Sequence, residues 1–378
     1  MSPHPSLLPA GFSDVLPPEA ETEAAAIEAM LAVFSAHGYE RVKPPLLEFE
    51  ESLLAGSGAA TAEQTFRLMD PVSQRMMGLR ADITPQVGRI ASVRLVRAPR
   101  PLRLSYNGQV LRVRGSELRP ARQMAQAGIE LIGADAPEAD AEVIAVAAEA
   151  LAALGVPAVS FDLTLPTLAD ELLATLSLTA EREAALRHAL DRKDAAEVAA
   201  LAGPLADVLD ALLHAAGPAD RALAALEAAS LPPPARALGE RLSRTVAAVR
   251  ARSPSVRLTA DPLEFRGFGY HRGVAFTVFT GALAEELGRG GGYLAGEEAA
   301  TGVTLYPDAA LRAAPPKPRR RRVFVPLPLA QHAAGLRAQG FATVAALGPV
   351  EDAAAEARRL GCTHLVVEGG EAPSLEGQ

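Results

Sequence analysis

A chain of 378 residues, 49% hydrophobic and 22% charged, has the composition of an ordinary globular protein with room for two or three domains. Its formal net charge of −8 and pI near 5.5 argue against a dominant nucleic-acid surface, which needs a basic field. A single cysteine, Cys362, and seven histidines without HExxH or paired-ligand spacing give no basis for disulfides or a metal site, and no apolar run reaches the length of a membrane span.

The N-terminus MSPHPSLLPAGF has no basic region ahead of an apolar core, so no secretory signal is read and the cytoplasm is the expected location. Residues 8–18 are turn-rich. The spacing of Ile27, Met30, Leu31 and Phe34 predicts a helix over 19–37, which Gly38 stops. A strand over 39–43 follows, then Pro44-Pro45 and LLEFEE. Residues 64–78 read as a hairpin turning at Asp70-Pro71. Two alternating stretches, 101–115 and 122–133, read as strands joined by a charged loop with Gly115, Ser116 and Pro120. Period two puts Gln126, Gly128 and Glu130 on one face, with Arg112 on the same side of the hairpin. Such a polar face is most simply a solvated one.

A helix over 137–154 and a strand over 159–165 come next. Residues 166–252 change texture and read as a helical module broken at Gly203-Pro204, Gly217-Pro218 and residues 232–234. Strand character resumes over 256–261 and leads into LEFRGFGYHRGVAFTVFT, residues 263–280. The glycine run 288–296 is expected to be a tight turn, with a backbone N–H cradle as the alternative. PPKPRRRR, residues 315–322, reads as a solvated linker. The remainder reads β-α-β-α-β, with helices over 330–339 and 350–360 and a small parallel sheet.

Several of these stretches together resemble class II aminoacyl-tRNA synthetases, and among them histidyl-tRNA synthetase. Leu79-Arg80-Ala81-Asp82-Ile83-Thr84 is similar to the family's LRxExT, and residues 122–133 to its RQFxQxGxExxG. Arg112 stands where the family's hairpin arginine binds the ATP α-phosphate. Residues 263–280 resemble RGLxYYxxxVF, with Arg266 and Tyr270 in matching places and His271 replacing the second tyrosine. Residues 288–296 resemble the GGRYD segment, with Gly292 and Leu294 replacing its arginine and aspartate. Residues 301–313 take the place of the third motif, GFxxGxERL, but Asp308 and Ala309 stand where its glutamate and arginine belong. Arg114 stands where the family has an acidic residue against adenine.

The resemblance implies an α+β fold: a class II synthetase-like antiparallel sheet with flanking helices (1–165 and 253–314), a helical insert (166–252), a linker (315–322), and a small C-terminal α/β domain (323–378) similar to a shortened anticodon-binding domain. It implies a histidine pocket of Asp82, Thr84, Arg112, Gln126, Glu130, Arg266, Tyr270 and His271. Asp82 and Thr84 would meet the ammonium, Gln126 would set orientation, Arg112 and Arg266 would face the carboxylate, and Tyr270 would wall the ring. A neutral methyl at Ala309 cannot replace a guanidinium fork on a triphosphate. A kept amino-acid pocket with damaged ATP machinery matches one related family, the regulatory subunits of ATP phosphoribosyltransferase. That implies no catalytic residue, metal or cofactor in this chain. It also implies a homodimeric core through 19–43 within a hetero-oligomer, a short catalytic partner subunit whose substrates bring magnesium, and L-histidine as effector. Neither tRNA nor a membrane is an expected partner. An active histidyl-tRNA synthetase and an RNA-binding pseudo-synthetase are the alternatives.

Overall fold

Helix α1, Glu19–Ala36, begins with acidic Glu19 and Glu21 at its positive end and buries Ala26, Met30, Leu31 and Phe34 on one stripe. Gly38, at φ +80°, turns the chain out of it. In this computed structural model the described residues are 7–116, 119–265, 269–316 and 318–375. They divide into two units, Met1–Pro315 and Pro316–Gln378.

In the first unit α1 leads to the short strands β1, Glu40–Arg41, and β2, Leu47–Phe49, and to helix α2, Glu50–Leu53. Strands β3, Phe66–Met69, and β4, Met76–Leu79, form the expected hairpin and pair with β2 in the order β2-β4-β3. The Asp70 carboxylate closes its turn by accepting from the N–H groups of Val72 and Ser73. Helix α3, Thr84–Arg89, follows with Pro85 in its first turn. The long strands β5, Leu102–Leu111, and β6, Gln123–Ile132, form the second hairpin. Then come α4, Pro137–Ala153, and β7, Val159–Thr164.

Residues 166–252 hold α5, Leu168–Leu173; α6, Ala180–Asp191; α7, Ala195–Leu201; α8, Ala206–His214; α9, Ala219–Ala228; and α10, Pro233–Arg252. Thr179 and Asp194 cap α6 and α7 through their side chains. The Gly217-Pro218 break is also a strand, β8, Gly217–Pro218, which pairs with β9, Arg257–Asp261. Strands β10, Ala275–Thr280, β11, Leu283–Ala295, and β12, Glu298–Leu305, and helix α11, Pro307–Ala313, complete the unit.

Among the described residues these strands make a nine-stranded sheet, ordered β1-β5-β6-β12-β11-β10-β7-β9-β8. The six from β5 to β7 in that order are antiparallel neighbours, and the β1/β5 and β7/β9 pairs are parallel. One apolar cluster joins α1, α4, α11 and the 166–252 helices to the sheet. A second, with Ile83, Val87, Leu104, Tyr106 and Tyr293, lies where α3 meets the sheet.

The glycine run corrects the sequence reading. Residues 288–295 lie inside β11, and the turn comes only at Gly296. These glycines permit close packing rather than chain reversal. At Gly291, φ is +141° and a Cβ would sit 2.5 Å from the Ala275 Cα; at Gly290 it would meet the Phe276 ring at 2.4 Å.

The second unit is the expected parallel sheet, with β13, Arg322–Val325, between β14, Ala342–Ala345, and β15, His364–Leu365. Alternation along β13 sends Val323 and Val325 into one cluster, against Leu336 and Phe341, and Phe324 into another, against Ala357 and Cys362. Helix α12, Ala333–Ala338, is shorter than the expected 330–339 because the segment before it, Leu327–His332, is a tighter 3-10 turn holding Pro328. Helix α13, Ala353–Arg359, is capped by the Asp352 carboxylate.

Candidate functional site

Strand register builds the site. Tyr106, Gly128, Thr304 and Arg289 stand side by side across β5, β6, β12 and β11. The next row toward α3 carries Glu130, Gly302 and Gly291. Gly302 is bare because the Glu130 carboxylate lies over it: a Cβ there would come within 1.8 Å of Glu130 Oε2. Gly128 is bare for the same reason, with the Tyr106 hydroxyl 2.4 Å from its would-be Cβ. The glycines thus let long polar side chains lie flat on the sheet.

Glu130 is the centre of a buried hydrogen-bond network. The Tyr293 hydroxyl donates to Oε2 at 2.8 Å, and the hydroxyls of Thr84 and Tyr106 donate to Oε1 at 3.0 and 3.3 Å. Tyr106 also meets Thr304 Oγ1 at 2.7 Å. Burial pushes the Glu130 carboxyl up to about 8, against these three donors, so it carries its proton at neutral pH. Tyr270 stacks on His271 with ring centroids 4.2 Å apart and meets Tyr293 edge-on at 6.1 Å. Burial, and secondly the charge of Arg289, push His271 down to about 3, so its imidazole is neutral.

Thr84, Glu130, Tyr270, His271, Arg289 and Tyr293 line one cavity with the backbone of Gly290, Gly291 and Gly302. It has room for about 10 Å³, one water molecule. Asp82, Gln126 and Arg112 form an adjoining group outside that lining. Gln126 Oε1 accepts from the Ile83 N–H at 3.1 Å, and Asp82 accepts from the Thr84 N–H at 3.2 Å. Burial raises the Asp82 carboxyl, offset in part by the charge of Arg112. Arg112 lies one residue beyond β5, with its Nε 3.5 Å from the Ala81 carbonyl. Arg266 lies outside the described residues.

Arg289, Tyr293, Thr304 and Tyr106 were absent from the sequence-based pocket. For Arg289 and Tyr293 the signal was available: treated as a strand, residues 289, 291 and 293 fall on one face.

The family model for histidyl-tRNA synthetase matches residues 11–310. The chain is 56% identical over 373 residues to the ATP phosphoribosyltransferase regulatory subunit of Gluconobacter oxydans (strain 621H), covering 98% of each chain. It is 56% identical over 362 residues to the protein of that name from Paramagnetospirillum magneticum, covering 95% of each. The chain belongs to the family of ATP phosphoribosyltransferase regulatory subunits. The fold agrees with a solved ATP phosphoribosyltransferase regulatory subunit/histidyl-tRNA synthetase from Bacillus halodurans C, at TM-score 0.80 and 23% identity over 95% of this chain and 97% of that one. It agrees likewise with histidyl-tRNA synthetase from Nostoc sp. PCC 7120, at TM-score 0.78 and 18% identity over 98% and 96%.

Ion pairs surround the start of α11. Arg119, whose side chain is 10% exposed, bonds both Asp308 oxygens at 3.0 Å and lies 4.1 Å over the Tyr306 ring. Arg312 joins Asp308 to Glu285, at 3.2 and 2.7 Å. Ala309 is fully buried in the main apolar cluster, and Arg114 is exposed.

The Glu130 proton gives a testable pH dependence. The folded carboxyl sits at about 8 against 4.5 for a free one, so folding binds this proton more tightly. Its stabilisation is complete below pH 4.5 and is lost as pH rises through 8. His271 acts the other way and only at acid pH: its folded value of about 3, against 6.5, costs stability as pH falls below 6.5. Between pH 6.5 and 8, therefore, Glu130 acts without His271. Through this group the parent chain should lose about 1.5–2 kcal/mol of stability across that window, read from unfolding curves. Glu130→Gln, which keeps an accepting oxygen without the charge, should flatten the slope.

Proposed function

We propose that this chain is the non-catalytic regulatory subunit of an ATP phosphoribosyltransferase. A short catalytic partner subunit carries out the first step of L-histidine biosynthesis, and free histidine bound at the Glu130 pocket supplies the feedback signal. One observation carries the reading. A buried polar pocket is centred on Glu130, while in the stretch that takes the place of the third motif Asp308 is paired with Arg119 and Ala309 offers no cation. A pocket without the means to activate its ligand can sense but not react. Its side chains suit an amino acid. Asp82 accepts from an ammonium, Gln126 both donates and accepts, and Arg112 suits a carboxylate. The pocket's one-water volume means that histidine entry must displace side chains of its lining. That movement gives the bound and free states the unequal energies that a signal requires.

The reading includes a homodimeric core in the cytoplasm. Its support is the family resemblance of residues 19–43 and the place of β1 as a terminal strand of the sheet, which suits symmetric pairing. The direct test is co-purification with a short phosphoribosyltransferase subunit, followed by light scattering. The expected result is a dimer of this chain alone at micromolar concentration and an even-numbered hetero-oligomer with the partner. A monomer that ignores the partner would contradict the assembly.

A further inference from the structure

The wall of the pocket includes a cation that the sequence motifs did not foretell. Arg289 reaches the site face from β11, opposite Thr304 on one side and Thr277 on the other. Its Nε lies 2.5 Å from Glu286 Oε2, which orients the guanidinium. It lines the same cavity as Glu130, Tyr270 and His271.

Accepting that histidine is the ligand of this pocket, we infer that Arg289 makes the site a reader of the uncharged imidazole ring, admitting histidine with a neutral side chain and rejecting the imidazolium form. A neutral imidazole has one N–H donor and one bare nitrogen acceptor; an imidazolium has two donors and no acceptor. The Glu130 carboxyl oxygens, on which Thr84, Tyr106 and Tyr293 already converge, accept the ring N–H. The bare nitrogen then faces the Arg289 end, where a guanidinium can only donate. A protonated ring would bring a second cation against the first.

The charges facing this end come from several elements. Glu286 on β11 engages Arg289 itself, and Glu264 and Tyr306 also lie within its field. Asp82 lies outside the cavity lining and feels the charge of Arg112. Burial raises the Glu130 carboxyl to about 8, so in the unliganded chain it adds little negative charge to this cavity at neutral pH. The wall already contains one imidazole, His271, which burial first and the charge of Arg289 second hold neutral.

The test is calorimetric binding to the full-length chain at about pH 7.5 and about pH 5.5. With a ring pKa of about 6.5, binding of the neutral form alone weakens histidine affinity about tenfold at the lower pH. Triazolylalanine, an analogue with a far less basic ring, should bind equally at both. Arg289→Met should remove most of histidine's acid loss. Histidine binding that is unchanged or tighter at the lower pH overturns the inference. A parallel loss for triazolylalanine also overturns it, because a protein group would then be titrating. Arg289→Met with the full acid loss would show that Arg289 is not the determinant. Absence of histidine binding at both pH values overturns the pocket assignment itself, and this inference with it.

Discussion

Given ATP and histidine, the purified chain should exchange pyrophosphate at background rate, orders of magnitude below a working synthetase. The structure adds reasons beyond the missing residues. Arg119 is already committed to Asp308 and stacked on Tyr306, so the space around the third-motif helix α11 is occupied by the protein's own charges. Ala309 faces the apolar cluster that includes Met30, Leu31 and Phe34 of α1. Restoring the motif with Ala309→Arg would therefore bury a guanidinium in a packed core. Overpacking and an unpaired buried charge together should cost about 3–5 kcal/mol, seen as a large drop in melting temperature with no gain in exchange. Exchange at synthetase-like rates in the parent chain would refute the sensor reading.

In the reconstituted transferase, Gln126→Ala and Asp82→Ala should each raise the histidine concentration needed for inhibition, roughly five- to a hundredfold. This corresponds to losing about 1–3 kcal/mol of ligand hydrogen bonding. Gln126 also accepts the Ile83 N–H, so its truncation carries a folding cost that Asp82→Ala, which frees the N–H of Thr84, need not match. Melting curves separate that cost from lost affinity, and assembly should persist in both variants. Inhibition curves that superimpose on the parent would make the pocket a relic and place histidine elsewhere.

Local pattern made much of this molecule readable. The α1 stripe, the β5–β6 hairpin with Gln126 and Glu130 on one face, and the parallel sheet of the second unit each follow from spacing that neighbouring residues set. The failures are of another kind. Gly288 and Gly290 to Gly292 carry the signature of a turn, but their purpose depends on Phe276, Ala275 and Gly302, which approach from adjacent strands. Arg119 and Asp308 stand 189 residues apart, so no window reveals that they pair. Arg289 was hidden by the same error: once the run is a strand, register alone brings it to the cavity. Gly217-Pro218 reads as a helix break and is one, yet it also adds an edge strand, which only β9 explains.

The most direct measurement is transferase activity of a short catalytic subunit, assayed with and without this chain and across a histidine titration. The account predicts that activity depends on the added chain, that histidine suppresses it, and that Asp82→Ala shifts the suppression without reducing uninhibited activity. Full, histidine-sensitive activity from the catalytic subunit alone, unchanged by this chain, would contradict it.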